Sequence, residues 1–250
     1  MTATRVRVSV LQILSVLTVL AVWEAVARLG WVDPLFVPAP TAVAAAFLRM
    51  GRGALAGLGD TLVKTAVAYV LSVTLGVGLG IAIGSVRALR DVLSPFVVVL
   101  YGMPKILVLP WIVLLLGFGT TPAIVYGTIH GLFPVLVLVM GGVRDVDRTL
   151  VTVARAFGAS TWQLYCKVLL PAIVPTVLAG MRLAIVFCLL GVLIVEMFAG
   201  VRGMGHVLGS LANGFQAPEL FAATALVSAS SIAIVLGLDA LNERLSRWRG

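Results

Sequence analysis

Chemistry in a protein comes from side chains that hold or move charge, and this chain has few: 18 Lys and Arg, 10 Asp and Glu, 2 His and 2 Cys among 250 residues. None of the three lysines, Lys64, Lys105 and Lys167, closes a G-x-x-x-x-G-K-[ST] loop, the arrangement whose backbone amides cradle phosphate. The chain therefore does not hydrolyse ATP by itself. His130 and His206 are isolated and read as structural, because no His, Cys or carboxylate cluster has metal-ligand spacing. Cys166 falls in a loop and Cys188 in an apolar stretch; neither placement suggests a disulfide, and both read as packing residues. No nucleophile and base are arranged for covalent catalysis. No catalytic residue, metal ligand or cofactor site is expected.

Three charges sit inside apolar stretches instead, where a central charge costs about 2.5–3.5 kcal/mol on insertion scales. Lys105 lies between Pro104 and Pro110, which loosen the backbone around it. It reads equally as a pore cation favouring an anionic solute and as a lysine paired in a helix bundle or snorkelling to an interface. Arg182 and Glu196 share one stretch, fourteen positions and about 21 Å apart along a helix, so they cannot pair with each other. Both read as structural anchors or as part of a pathway.

The surrounding composition explains why charges are so few. Hydrophobic residues make up 61% and charged residues 11%, with a mean hydropathy of +1.14. A protein this apolar cannot cover itself with polar surface, so lipid is its solvent over most of its area. A soluble enzyme is excluded. The net charge of +8 lies in short clusters between apolar runs rather than in a basic stripe, which argues for topology signals and against nucleic acid.

Six stretches are long enough to span a bilayer as helices: Val8–Leu29, Thr61–Val86, Pro95–Gly117, Pro122–Val143, Val174–Ala199 and Leu220–Leu241. The expected fold is all-α, a polytopic membrane protein with six transmembrane helices in one domain over 1–250. A first span covers 8–29, and a five-helix core covers 58–241. Cytoplasmic loops carry the excess of Lys and Arg. With the N-terminus inside, Arg5, Arg7, Arg87, Arg90, Arg144, Arg148, Arg155, Lys167, Arg244, Arg247 and Arg249 lie inside. Arg28, Arg49, Arg52, Lys64 and Arg202 lie outside, so both termini are expected in the cytoplasm. The first span also imitates a signal peptide ending at Ala25-Val26-Ala27, but Trp23 and Glu24 before that point and the five further spans favour a retained helix.

Between the first two spans, Asp33-Pro34 and Pro38-Ala39-Pro40 break helix. Thr41 is positioned to cap a short surface helix through Met50, with Val43, Phe47 and Met50 on one face. Gly76, Gly80 and Gly84 recur every four residues in the second span, a spacing that lets another helix approach closely, within the chain or across a dimer.

The segment 144–171, RDVDRTLVTVARAFGASTWQLYCKVLLP, is long for a cytoplasmic connection and is not purely polar. Leu150, Val153, Ala154 and Phe157 are spaced as one helical face, and Gly158 is placed to end that helix in a left-handed conformation. Ser160 or Thr161 then caps a second helix carrying Trp162, Tyr165 and Leu169, which Pro171 is expected to stop. Such a pair either rests on lipid head groups or plugs into a cytoplasmic partner.

Residue order favours the second. The segment resembles the EAA loop of the permease subunits of ABC importers, a pattern of E-A-A, three residues, Gly, a spacer and Leu-Pro. Here it runs Thr152-Val153-Ala154, Arg155-Ala156-Phe157, Gly158-Ala159 and finally Leu170-Pro171. Thr152 and Val153 replace the Glu and first Ala, so a salt bridge made by that Glu in the family does not carry over. Further stretches look like the branch associated with nitrate, sulfonate, taurine, bicarbonate and thiamine-precursor uptake: Pro104-Lys105-Ile106 to Leu109-Pro110, Gly117-Phe118-Gly119, Phe133-Pro134, Gly142-Val143-Arg144, Gly180-Met181-Arg182-Leu183-Ala184 and Val195-Glu196-Met197. The resemblance runs from about Val37 to Arg249.

The resemblance implies a type I ABC importer permease in the bacterial inner membrane, a non-catalytic subunit. Its expected partners are a separate ATP-binding subunit holding ATP and Mg, an extracytoplasmic solute-binding protein, a second permease copy and the lipid bilayer. Ala154, Arg155, Phe157, Gly158, Ala159, Trp162 and Tyr165 would dock the ATPase as coupling helices. Lys105 leans towards a small oxyanion such as sulfonate, taurine or nitrate, while the branch also includes vitamin precursors. The rivals are a secondary transporter or channel, for which no repeat symmetry is visible, and a membrane enzyme.

Overall fold

The computed structural model describes residues 2–246. Arg247 and Arg249, counted above among the inside charges, lie outside the described residues. The described chain forms ten α-helices: α1 (Thr2–Arg28), α2 (Pro40–Ser85), α3 (Arg87–Gly102), α4 (Leu109–Leu116), α5 (Thr120–Arg144), α6 (Arg148–Ala156), α7 (Thr161–Leu164), α8 (Leu170–Ala199), α9 (Met204–Asn213) and α10 (Ala217–Ser246). Among these residues five helices are long and apolar enough to cross a membrane, and six if the bent α3–α4 pair forms one span. The architecture is the all-α polytopic one expected, with local differences that each have a physical cause.

α2, α5 and α8 make the core, with α5 in the middle. Gly76, Gly80 and Gly84 give α2 a flat stripe on which Val135, Val139 and Val143 of α5 lie; a Cβ on Gly80 would stand 2.8 Å from the Cβ of Val139. On its other side α5 meets α8 just as closely, and a Cβ on Gly191 would fall 2.9 Å from the Cα of Gly127. Lipid offers helices no hydrophobic drive to associate, so this tight contact supplies the attraction that water would otherwise enforce. The glycine stripe therefore serves packing within the chain.

α2 bends at Gly51, whose φ of 57° and ψ of −152° few residues other than glycine adopt. This separates a surface limb, 40–50, from the spanning limb Gly53–Ser85. Thr41 does not cap the surface limb as expected; the cap position is Ala39, which makes no side-chain bond. Glu24 of α1 takes over from a distance, its carboxylate accepting from the Thr41 amide at 3.0 Å and the Thr41 hydroxyl at 2.8 Å. A carboxylate at a helix N-terminus satisfies free amides and complements the helix dipole, and here it also fastens α1 to the bundle.

The expected third span, Pro95–Gly117, is two segments meeting at 92°, Arg87–Gly102 and Lys105–Leu116. Met103 precedes a proline and is extended, with φ −66° and ψ 136°, because the proline ring crowds the helical conformation of its neighbour. A single 3-10 turn, Lys105–Val108, then leads into α4.

The fifth span is longer than expected, running unbroken from Thr161 to Ala199 through Pro171. Proline has no N–H to give an α-helix, but the turn Tyr165–Leu169 is widened to a π-helix, and the Leu170 amide reaches the Tyr165 carbonyl. The wide turn shifts the hydrogen-bond register at the place where the proline would have broken it. The second short helix of the 144–171 segment is therefore the end of a transmembrane helix.

The α2–α5 contact has a measurable consequence. Gly80→Leu should lower the unfolding stability of the purified protein by about 1–3 kcal/mol through overpacking. Adding Val139→Ala in the same chain should restore part of the loss, whereas strictly additive effects would show that the two positions do not meet.

Candidate functional site

Four clusters of polar side chains lie within or at the ends of the apolar bundle. The most buried centres on Glu196, 0% exposed in α8, and Lys64, 4% exposed in α2. Lys64 Nζ lies 2.9 Å from Glu196 Oε1, 3.0 Å from the Arg202 carbonyl and 3.2 Å from Asp60 Oδ2, so each ammonium proton has an acceptor. Glu196 Oε2 accepts from the Thr61 hydroxyl at 2.7 Å and from the Gly205 amide at 2.9 Å. The Thr61 hydroxyl in turn accepts from the Met204 amide at 2.7 Å. The first amides of α9, which no residue of that helix can satisfy, are thus capped from α2 and α8. Gly203 makes this possible: at φ 111°, any Cβ there would overlap the Glu196 carboxylate. Lys64 is accordingly a buried, paired residue rather than an outside-loop charge as expected.

Arg182, near the middle of α8, pairs with Asp239 of α10, Nη2 to Oδ2 at 3.0 Å. Sequence spacing indicates neither Lys64 nor Asp239 as a partner. A signal for Lys64 was present, since an uncompensated lysine within an apolar helix demands a buried acceptor.

Lys105 stands at the α3–α4 bend. Its Nζ donates to the Tyr101 carbonyl at 3.0 Å, filling a helix-end acceptor that the bend leaves open. The ammonium also lies 5.2 Å from the centroid of Tyr101 and 5.4 Å from that of Phe133, both within cation–π range. Among the described residues no carboxylate pairs with it. One helical turn before Phe133, His130 has a buried Nδ1 with no hydrogen-bond partner among the described residues, and its ring lies 4.5 Å from that of Tyr126.

The fourth cluster is the 144–171 segment. Asp147 caps α6 through the Thr149 amide at 2.8 Å. Hydrogen bonds from the Thr149 backbone, then from its side chain, hold the Asp147 carboxyl below its ordinary pKa. α6 ends in a Schellman turn: Gly158, at φ 79°, donates to the Arg155 carbonyl at 2.9 Å, and Ala159 donates to the Ala154 carbonyl at 3.0 Å. Ser160 and Gln163 form a reciprocal capping box at the start of α7. These local bonds fix a stiff corner whose apolar side chains point away from the protein, with Phe157 88% and Trp162 76% exposed. Arg155 is exposed as well, whereas Ala154, Ala159 and Tyr165 are half-buried against the bundle.

Fold and clusters together define a helical membrane protein with a stiff apolar corner on one side and no catalytic constellation among the described residues. Residues 72–249 match the family described as binding-protein-dependent transport system inner membrane component, and the chain belongs to that family. It is 29% identical over 238 residues to the taurine transport system permease protein TauC of Escherichia coli (strain K12), covering 92% of this chain and 86% of that one. It is 27% identical over 233 residues to the putative aliphatic sulfonates transport permease protein SsuC of Bacillus subtilis (strain 168), covering 92% and 84%. The solved inward-facing MetNI methionine ABC transporter shares the fold, with a TM-score of 0.67 at 20% identity over 80% of this chain and 97% of that one. The protein is a non-catalytic permease subunit of an ABC importer, in the branch that includes the taurine and sulfonate permeases. Membership implies a separate ATPase subunit and a binding protein as partners.

The Glu196 cluster yields a double-variant test. Lys64→Met or Glu196→Gln alone should cost about 3–5 kcal/mol of stability by leaving a buried charge without its partner. Combining the two should cost clearly less than their sum in chemical unfolding, and full additivity would refute the pairing.

Proposed function

We propose that this permease carries a small oxyanion, a sulfonate such as taurine or else nitrate, delivered by an extracytoplasmic solute-binding protein along a path formed with a second copy of the chain. The observation that carries this reading is Lys105: a cation at a break in a membrane helix, held by a carbonyl and two aromatic faces, with no carboxylate partner among the described residues. A passing anion is the counter-charge that such an ammonium lacks. The taurine and sulfonate permeases among the relatives support the same class. A vitamin-like solute is the second reading, favoured by 26% identity over 163 residues to the riboflavin transport system permease protein RibX of Chloroflexus aurantiacus.

In this reading α6 and α7 face the cytoplasm, as do both termini, and the membrane is the bacterial inner membrane. The ATPase subunit, which holds ATP and Mg, receives the corner built by Ala154, Arg155, Phe157, Gly158, Ala159, Trp162 and Tyr165. Phe157 and Trp162 supply an apolar anchor and Arg155 a charge beside it. ATP closes the paired ATPases, and the corner passes that closure to the spans, shifting which side of the path is open. α8 takes part directly because α7 is its own extension.

Two measurements test the reading. In vesicles holding the whole importer, Lys105→Met should lower taurine uptake about tenfold, the scale of one lost charge-assisted hydrogen bond, with Lys105→Arg retaining most of it. Undiminished uptake of taurine, alkanesulfonate and nitrate by Lys105→Met removes the oxyanion reading. A Phe157→Ala, Trp162→Ala variant should melt at the parent temperature yet lose about tenfold or more in uptake, because buried aromatic anchors dominate interface energy. Parent uptake would place the ATPase elsewhere.

A further inference from the structure

A cavity of about 560 Å3 opens where the 144–171 segment meets the ends of the spans, a volume within the roughly 300–1,000 Å3 range of small-ligand sites. One wall comes from the ends of α2 and α5 and the start of α3, and the other from α6, α7 and the π-helical turn. Three arginines, Arg90, Arg144 and Arg155, line it against a single carboxylate, Asp91. That carboxylate pairs with Arg90, whose Nη1 also donates to the Gly84 carbonyl at 3.4 Å, and leaves Arg144 and Arg155 uncompensated. It lies 3.8 Å from Arg90 Nε and 3.9 Å from Arg87 Nε, beyond hydrogen-bond length in both cases. Neither Arg144 nor Arg155 pairs with a carboxylate among the described residues.

Hydroxyl-bearing residues share this lining, Ser85 at the end of α2 among them. Tyr165 and Thr161 bring two more hydroxyl side chains to the cavity wall. Guanidinium groups and hydroxyls sharing one cavity make up a donor set suited to a tetrahedral oxyanion, since a guanidinium fork matches two of its oxygens and a hydroxyl can reach a third.

We propose that this cavity binds a small tetrahedral oxyanion, as sulfate, a sulfonate or a phosphate group, bridging Arg144 at the end of α5 to Arg155 of α6. Its occupancy fixes the corner against the spans, because the two arginines belong to opposite walls. An oxyanion accumulating on that side would thereby resist any movement that parts α6 from α5. The binding does not depend on which solute the permease carries. Lipid phosphodiester and free anion offer the same chemistry, and the membrane composition separates them.

The test uses the full chain in nanodiscs of phosphatidylcholine alone, titrated with sulfate in calorimetry at constant ionic strength set with chloride. Saturable binding is expected, weakened about tenfold or more by Arg144→Gln and by Arg155→Gln, each of which removes a charge-assisted contact. Arg202→Gln, which removes the same charge outside the cavity, should leave it unchanged. Amide exchange over 148–164 should slow with sulfate in the parent and not in Arg155→Gln. If nanodiscs containing phosphatidylglycerol abolish sulfate binding in the parent, the site holds a lipid head group; if they leave it intact, the site takes the free anion. Absence of saturable binding in phosphatidylcholine, or equal weakening by Arg202→Gln, overturns the proposal.

Discussion

A carboxylate from which water is excluded must find its solvation in the protein, and Glu196 finds it in three donors from two other helices. It takes an ammonium from α2, a hydroxyl from α2 and an amide from the start of α9. Lys64 is satisfied equally fully. Each of these groups would be costly alone at this burial, so they form as a set or not at all. That requirement dictates much of the surrounding sequence. Gly203 and Gly205 leave room for the carboxylate, and Thr61 stands one turn from Lys64 so that both face it. Replacing the set by apolar residues would satisfy lipid as well, but it would leave the first amides of α9 uncapped.

The same residue anchors one end of the longest unbroken helical run among the described residues. From Thr161 to Ala199 the chain is helical without interruption, about 58 Å at 1.5 Å per residue against a hydrocarbon core of about 30 Å. The excess length projects as α7 and the π-helical turn, which ends at the stiff Schellman corner at Gly158. Between the two ends, α5 lies against the run through Gly127, Gly180 and Gly191, and Arg182 ties it to α10. A push at Trp162 thus has a continuous helical path to Glu196. α1, by contrast, is fastened through Glu24 and Arg28 to Thr41 and through the Trp23–Phe221 ring contact.

Features whose cause is local were readable from sequence. The glycines at 76, 80 and 84 announce close packing by their spacing alone, and Gly158 with Ser160 announces a helix end and a new start. The apolar runs give the spans, since a bilayer leaves the backbone few alternatives to helix. Features whose cause is tertiary were not readable. Lys64 looks like a loop charge until Glu196, 132 positions away, is beside it. Thr41 has the right residue type for a cap, yet Glu24 outcompetes it with a full negative charge. Pro171 reads as a stop because sequence shows the missing N–H but not the π-helical turn that absorbs it. The prolines around Lys105 signal a weakened helix, but their spacing alone does not give the 92° bend that forms there.

If α7 and α8 act as one lever, their length must survive the transport cycle. Spin labels at Gln163 and Phe198, both exposed positions near the two ends of the helical run, report this directly in importer complexes that carry a single doubly labelled permease chain. A separation of about 52 Å is expected, from 1.5 Å per residue, and it should be the same with and without ATP. A separation that shortens or broadens on ATP binding would mean that the π-helical turn is a hinge, and the rigid path from the corner at Gly158 to Glu196 would be contradicted.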